Sequence, residues 1–218
     1  MISLLRRETP LDRLVSLFDH ALKNATGCPP CAGRPSPTPV SDPGKDLEKG
    51  ADRRHAAGLM RVNHAGEIAA QALYHGQALV AHDPNVREFL LQAAREEGDH
   101  LVWCAQRLQE LGSRPSLLGP VWYVGSALIG AAAGLAGDAI SLGFIAETER
   151  QVEGHIDHHL ERLPGSDHRS RVILKQMKAD EMAHRDHAIE RGGAPLNAAT
   201  RGLMRGTAKI MTKSAYWI

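Results

Sequence analysis

Two short phrases put an acid and a base where a helix would otherwise bury aliphatic side chains: Glu97-Gly-Asp-His100 and Glu181-Met-Ala-His184. Residues three apart share one face of a helix. Each phrase therefore offers a carboxylate and an imidazole to the same region of space. Around the first, Leu90, Ala93, Ala94, Leu101, Cys104, Leu108 and Leu111 recur by threes and fours, the spacing of a core-facing stripe. That stripe runs through Glu97. Around the second, Leu174, Met177 and Ala188 do the same. Two further stripes hold one glutamate each: Met60, Asn63, Glu67, Ala70, Tyr74, and Leu142, Ile145, Glu149, Val152, Ile156, Leu160, Leu163.

The stripes also choose among neighbours. Glu96 lies about 100° around the helix from Glu97, with Gln92 one turn before it, and is expected to face solvent. Glu147 and Glu153 flank Glu149 but fall off its line, Glu153 being the closer competitor. His155 lies near the Glu149 face and is a candidate partner for that carboxylate. His55, His64, His75, His82, His158, His159, His168 and His187 are expected to be surface or structural residues.

Four carboxylates cannot share a dry interior alone. Like charges raise one another's pKa, and desolvation costs several kcal/mol per ion. A compensating positive charge is needed. Oxygen-rich ligation with two imidazoles suits a pair of iron or manganese ions, each taking one terminal glutamate and one histidine while two glutamates bridge. Di-iron carboxylate bundles use this donor set: one glutamate from each of two helices and Glu-x-x-His from each of the other two. The candidate catalytic and metal-binding residues are Glu67, Glu97, His100, Glu149, Glu181 and His184. The expected cofactor is two Fe ions, Fe2+ in the reduced state.

Four helices must carry these residues. Periodicity and turn signals predict them over 52–82, 84–111, 138–162 and 167–191, with another over 196–213. No alternating strand pattern appears. Glu67 and Glu97 are 30 residues apart, Glu149 and Glu181 are 32 apart, and 52 separate Glu97 from Glu149. Two hairpins joined by one long connection is a ferritin-like arrangement. The predicted fold is all-α: a ferritin-like four-helix bundle with one long apolar crossover, plus N- and C-terminal amphipathic helices. The crossover, Pro115 to Gly137, has no charged residue in 23 positions. That could span a bilayer, but a single crossing would put the hairpins on opposite sides. A buried or monotopic crossover is expected instead.

Before the bundle, Thr9-Pro10 reads as a cap and first turn. Leu11, Leu14, Val15, Phe18 and Leu22 make one apolar face over 10–24. The expected division is an N-terminal helix in 1–25, a Pro/Gly-rich linker over 26–50 and the bundle over 51–218. Cys28 and Cys31 sit in "CPPC", but prolines surround them and there is no second Cys pair, so they are read as loop cysteines. Three cysteines and no signal-peptide run fit a reducing compartment. With 26 basic and 25 acidic residues and 4% aromatics, nothing suggests a nucleic-acid binder.

Ligands alone do not separate oxygenation from iron storage or peroxide removal. The phrases around them are more specific. "GLMRVNHAGEIAAQALYHGQAL", "REEGDHLVWCAQRLQELGSRPS", "GFIAETERQVEGHIDHHLERLP", "ADEMAHRDHA" and "KIMTKSAYWI" closely resemble the bacterial 3-demethoxyubiquinol 3-hydroxylase family, over about residues 50–218. The resemblance implies a di-iron centre on the six residues above. It also implies O2 as oxidant, a polyprenyl demethoxyubiquinol as substrate, and peripheral attachment to the cytoplasmic side of the cell inner membrane. A reductase, another protein of ubiquinone biosynthesis and a second copy of the chain are admissible partners. The "CPPC" linker departs from the family pattern, and Glu147 and Glu153 leave the Glu149 assignment open. The alternative is a ferritin- or rubrerythrin-like iron or peroxide handler without organic substrate. The membrane reading draws on the crossover and on the last helix, where Leu203, Met204, Ile210 and Met211 alternate with Arg201, Arg205, Lys209 and Lys213.

Overall fold

Asp83 and Asp167 start the two helices that carry the Glu-x-x-His phrases. Asp83 accepts from Asn85 N at 2.8 Å, with Pro84 in the first turn. Asp167 accepts from Ser170 N at 3.0 Å. Both are side-chain N-caps. Both helices end at a glycine in the left-handed region, Gly112 (φ 67) and Gly192 (φ 92), where a side chain would be strained.

The computed structural model describes residues 33–38 and 50–218, together with Thr9, Leu11, Asp12, Val15 and Asp19. Its helices are α1 (Ala51–Val80), α2 (Pro84–Glu110), α3 (Gly119–Leu135), α4 (Asp138–Arg162), α5 (His168–Glu190) and α6 (Ala198–Ala215). No strand occurs among the described residues. Five of these helices match the sequence expectation within two residues at each end. Leu11, Asp12, Val15 and Asp19 are helical, and Thr9 and Asp12 cap one another. The rest of the helix expected over 10–24, and the Cys28–Cys31 pair, lie outside the described residues.

Short turns fold α1 onto α2 and α4 onto α5. Asp138, at the start of α4, accepts from the backbone of His82 and Asp83 at 3.1 and 2.7 Å, tying one hairpin's turn to the other hairpin. Two apolar layers fill the bundle. One gathers Leu59, Met60, Trp103, Cys104, Leu108, Ile156, Leu174 and Met177. The other gathers Ala70, Tyr74, Leu90, Ala94, Leu142, Ile145 and Ala188. On each of the four helices the stripe glutamate falls between its residues of these two layers.

The charge-free segment folds as α3, a 17-residue helix laid along α1. No described helix is long and apolar enough to cross a membrane. The two helices approach almost backbone to backbone. A Cβ at Gly76 would collide with the Ala127 carbonyl, and one at Gly130 with the Leu73 carbonyl. Neither obstacle is a side chain that can rotate away, so the helices must separate. Gly76→Ala is therefore expected to destabilise the fold by about 1–3 kcal/mol, read as a lower urea midpoint at unchanged slope.

Candidate metal centre

The six predicted residues meet between the two apolar layers. Glu97 and His100 are 0% exposed, Glu149 and Glu181 1%, Glu67 and His184 3%. They form two overlapping groups in which ligand atoms lie within 4.8 Å of one another: Glu67, Glu97, His100, Glu181 and Glu97, Glu149, Glu181, His184. Glu97 and Glu181 belong to both. Glu97 turns Oε2 to His100 Nδ1 at 3.2 Å and Oε1 to His184 Nδ1 at 3.4 Å. Glu181 turns Oε1 to His100 Nδ1 and Oε2 to His184 Nδ1, each at 3.3 Å. Each shared carboxylate thus spans both imidazoles. Glu67 Oε2 completes the first group, 3.3 Å from His100 Nδ1.

The outer nitrogens settle what the inner ones can do. His100 Nε2 lies 2.9 Å from Asp180 Oδ2, and His184 Nε2 lies 2.7 Å from Glu96 Oε2. A neutral imidazole that donates from Nε2 presents only a lone pair at Nδ1. Around His100 that lone pair would face three carboxylate oxygens. The arrangement needs a proton or a metal cation at its centre. Metal-bound histidines commonly donate their outer N–H to a carboxylate. Glu97 Oε1 and Glu149 Oε2 are buried without a hydrogen-bond partner, as open ligand positions would be. Donor set and geometry both fit a pair of hard divalent ions.

The structure corrects two sequence expectations. Glu96 does not simply face solvent: it is half-buried and receives His184. A Gln92 amide on its second oxygen, at 2.7 Å, completes its partners. His155 does not serve Glu149: its ring lies 4.0 Å from that of His159, and Tyr74 O–H donates to Glu149 Oε1 instead. The competing carboxylates point elsewhere. Glu147 is bound by Arg150 and Gln151, both at 2.6 Å, and Glu153 pairs with Arg185. Sequence reasoning missed Asp180 and the role of Tyr74. Asp180 carried a signal, since an acid precedes the glutamate in both phrases, Glu96-Glu97 and Asp180-Glu181.

Electrostatics in the metal-free cluster follow from burial and crowding. Burial, then the Glu97 charge, raises the Glu67 carboxyl well above its ordinary value, against a hydrogen bond from His100. Burial, then Glu181 and Glu97, raises Glu149 likewise. Burial also works against charge on Glu97, but the nearby His100 and His184 imidazoles outweigh it and hold that carboxyl low. Burial opposes charge on the imidazoles, yet Asp180 and Glu181 lead in raising His100, and Glu181 and Glu96 in raising His184.

Glu67, Glu149, His100 and His184 therefore hold protons more tightly folded than unfolded. Such groups stabilise fully below their unfolded pKa, and the benefit is lost as pH rises toward the folded value. For the imidazoles that loss begins at the ordinary 6.5; for the two carboxyls it begins at 4.5. With metal chelated, the thermal midpoint should fall as pH is raised above 6.5. Saturating divalent metal should remove that fall, because it takes the place of those protons. A flat midpoint in chelator would contradict the arrangement.

Comparison with known proteins gives the lineage. The sequence profile described as "Ubiquinone biosynthesis protein COQ7" matches residues 54–215. The chain belongs to that family. A 3-demethoxyubiquinol 3-hydroxylase of Bordetella petrii is 55% identical over 213 residues, covering 98% of this chain and 94% of that protein. Proteins with the same name from Ralstonia pickettii and Cupriavidus taiwanensis are 56% and 55% identical, each covering 95% of this chain and all of theirs. The matched region contains all six buried residues and the two carboxylates behind the imidazoles.

Proposed function

We propose that this chain is a di-iron monooxygenase that hydroxylates the ring of a polyprenyl 3-demethoxyubiquinol, using O2, at the cytoplasmic surface of the inner membrane. The observation that carries the reading is the pair of carboxylates, Glu97 and Glu181, each spanning both inward-facing imidazole nitrogens. Glu67 and His100 would complete one iron position, Glu149 and His184 the other. Bound as a ferrous pair, the cofactor would supply the two electrons with which O2, taking up two protons, gives one oxygen atom to a ring C–H bond and the other to water.

The chain's own residues do the rest. Asp180 and Glu96 accept hydrogen bonds from the outer imidazole N–H groups, which keeps each inner lone pair directed at the centre. Tyr74, fully buried, holds Glu149 by one oxygen and leaves the other available. Met60, Leu90, Cys104, Leu142, Ile145, Ile156, Leu174 and Met177, each no more than 1% exposed, exclude water from both sides of the cluster. A reactive oxidant is thereby kept from bulk solvent.

The membrane half of the reading rests on the outer faces of α3 and α6. Val121, Val124, Leu128 and Leu135 are 55–70% exposed, on a helix without charge. On α6, Arg205, Lys209 and Lys213 are exposed beside Leu203 and Ile210. Trp217, just beyond it, is 80% exposed. A basic amphipathic helix gains roughly 1 kcal/mol per cation near an anionic lipid surface. Between α3, α4 and the start of α6 lies an apolar cavity of about 430 Å3, lined by Ile129, Ile140, Phe144, Pro195 and Leu196. It is of a size to take a substituted ring or part of a prenyl tail.

The test is anaerobic loading with Fe(II), followed by labelled O2 and a short-tailed demethoxyubiquinol. The expected result is two irons per chain and a product carrying one labelled oxygen. Iron and O2 consumed with the quinol unchanged would favour an iron or peroxide handler. Sedimentation with anionic vesicles, weakening as salt rises, tests the membrane half separately.

A further inference from the structure

Arg34 belongs to the described stretch 33–38, outside the helical bundle, yet its side chain reaches the back of the metal cluster. Its NH1 lies 2.9 Å from Asp180 Oδ2. That same oxygen accepts from His100 Nε2 at 2.9 Å. Arg34 Nε donates to Asp99 Oδ2 at 2.7 Å, and the Gly33 and Arg34 amides donate to Asp99 Oδ1 at 2.6 and 3.3 Å. The guanidinium lies 5.0 Å over the Trp103 ring, whose Nε1 donates to the Arg34 carbonyl at 3.4 Å. One planar cation thus links two carboxylates, on α2 and α5, and is stacked from a third direction.

The two halves of the site are otherwise alike. Each follows the pattern Gln-x-x-x-acid-Glu-x-x-His: Gln92, Glu96, Glu97, His100 and Gln176, Asp180, Glu181, His184. In each, the glutamine amide donates to the acid four residues on, at 2.7 Å to Glu96 and 3.0 Å to Asp180. In each, the acid receives the imidazole of the opposite half. Arg34 breaks this symmetry. Among the described residues no guanidinium donates to Glu96, whereas Asp180 shares one oxygen between His100 and Arg34.

We propose that Arg34 is a positioning residue that makes the two metal positions inequivalent, tightening the one held by His100 by fixing Asp180. The inference rests on the reading that the cluster holds two metal ions. Without Arg34, Asp180 keeps Gln176 and His100 as its partners among the described residues and loses the tie to Asp99. Partners behind a ligating histidine matter to metal affinity by 10–100-fold. The guanidinium fork can serve Asp99 and Asp180 together, which a lysine ammonium cannot do in the same plane.

The experiment is an anaerobic titration of the full chain with cobalt(II) alone, followed by its visible absorption, for wild type, Arg34→Ala and Asp99→Ala. Asp99→Ala releases the far end of the clamp without touching Asp180. Wild type should bind two ions. In both variants one binding step should weaken about tenfold while the other stays within twofold. The proposal is overturned if both steps are unchanged, or if both weaken alike, as general loosening of the bundle would produce. Failure of wild type to bind two ions would instead overturn the di-iron reading itself.

Discussion

Glu181→Ala should abolish two-metal loading and ring hydroxylation together. Glu181 is one of two carboxylates that reach both imidazoles, so its loss damages both metal positions and not just one. The variant also separates a ligand role from a structural one. In the metal-free protein, Glu181 faces both protonated imidazoles, His100 and His184, at 3.3 Å, and removing it leaves buried positive charge less compensated. Glu181→Gln, which conserves volume, should therefore lower the thermal midpoint in chelator near neutral pH. Wild type should gain stability on adding divalent metal, by mass action, and both variants should lose most of that gain. Glu147→Gln is the control. Glu147 is also a glutamate and lies two residues from Glu149, but it is bound by Arg150 outside the cluster, so its variant should load and turn over like wild type. A Glu181→Ala protein that still formed hydroxylated product at the wild-type rate would refute the ligand assignment.

The burial and clustering of Glu67, Glu97, His100, Glu149, Glu181 and His184 were legible in the sequence because a helix stripe is a strong pattern and a glutamate inside it is a strong exception. The same logic chose Glu149 over Glu147 and Glu153, in agreement with their partners: Arg150 and Gln151 hold Glu147, and Arg185 holds Glu153. It failed for Glu96. A residue about 100° off the stripe points away from its own helix's core, but it can still face the next helix. Here it meets His184, which projects from α5. Periodicity describes one helix at a time and says nothing of the pairing across a bundle. His155 failed for the same reason in reverse: near Glu149 in sequence, it is turned to His159 in space.

α3 was legible as an apolar connection and not as a helix. Its Gly and Ala content lowers the amphipathic contrast that marks a helix facing a core, and those same glycines permit its close approach to α1. Arg34 was not legible at all. Its stretch has the composition of a linker, and its meaning comes from contacts with Asp99 and Asp180, 65 and 146 positions away. The bundle's architecture follows from local pattern, while the asymmetry of its site comes from a segment without one.

The largest expected effect on stability belongs to Arg107, which joins the end of α2 to the start of α5. It is 3% exposed, and Asp167 is 0% exposed. Arg107 donates to Asp167 Oδ1 at 2.8 Å, to Glu110 Oε2 at 2.8 Å and to Ser170 Oγ at 3.0 Å. Among the described residues Asp167 Oδ2 has no hydrogen-bond partner, so the Arg107 guanidinium is what compensates the carboxylate's charge. Removing one member of a buried ion pair leaves the other desolvated and alone, at a cost of about 3–5 kcal/mol. Arg107→Ala should lower stability by that amount, measured by urea unfolding. Arg107→Leu with Asp167→Asn should recover a large part. Asparagine keeps an oxygen for the Ser170 amide and so preserves the α5 cap, while leucine restores packing and no buried charge is left unpaired. Glu110 needs no second change, because Arg169 holds both its oxygens, at 2.6 and 3.0 Å. If the double variant were no more stable than the single one, the loss would lie in geometry and not in charge. Arg107 would then be acting as a spacer between the two helices that bear the histidines. Metal affinity distinguishes the cases: a charge defect two turns from His100 leaves the cluster's spacing intact, whereas a lost spacer shifts α2 against α5 and weakens both metal steps together.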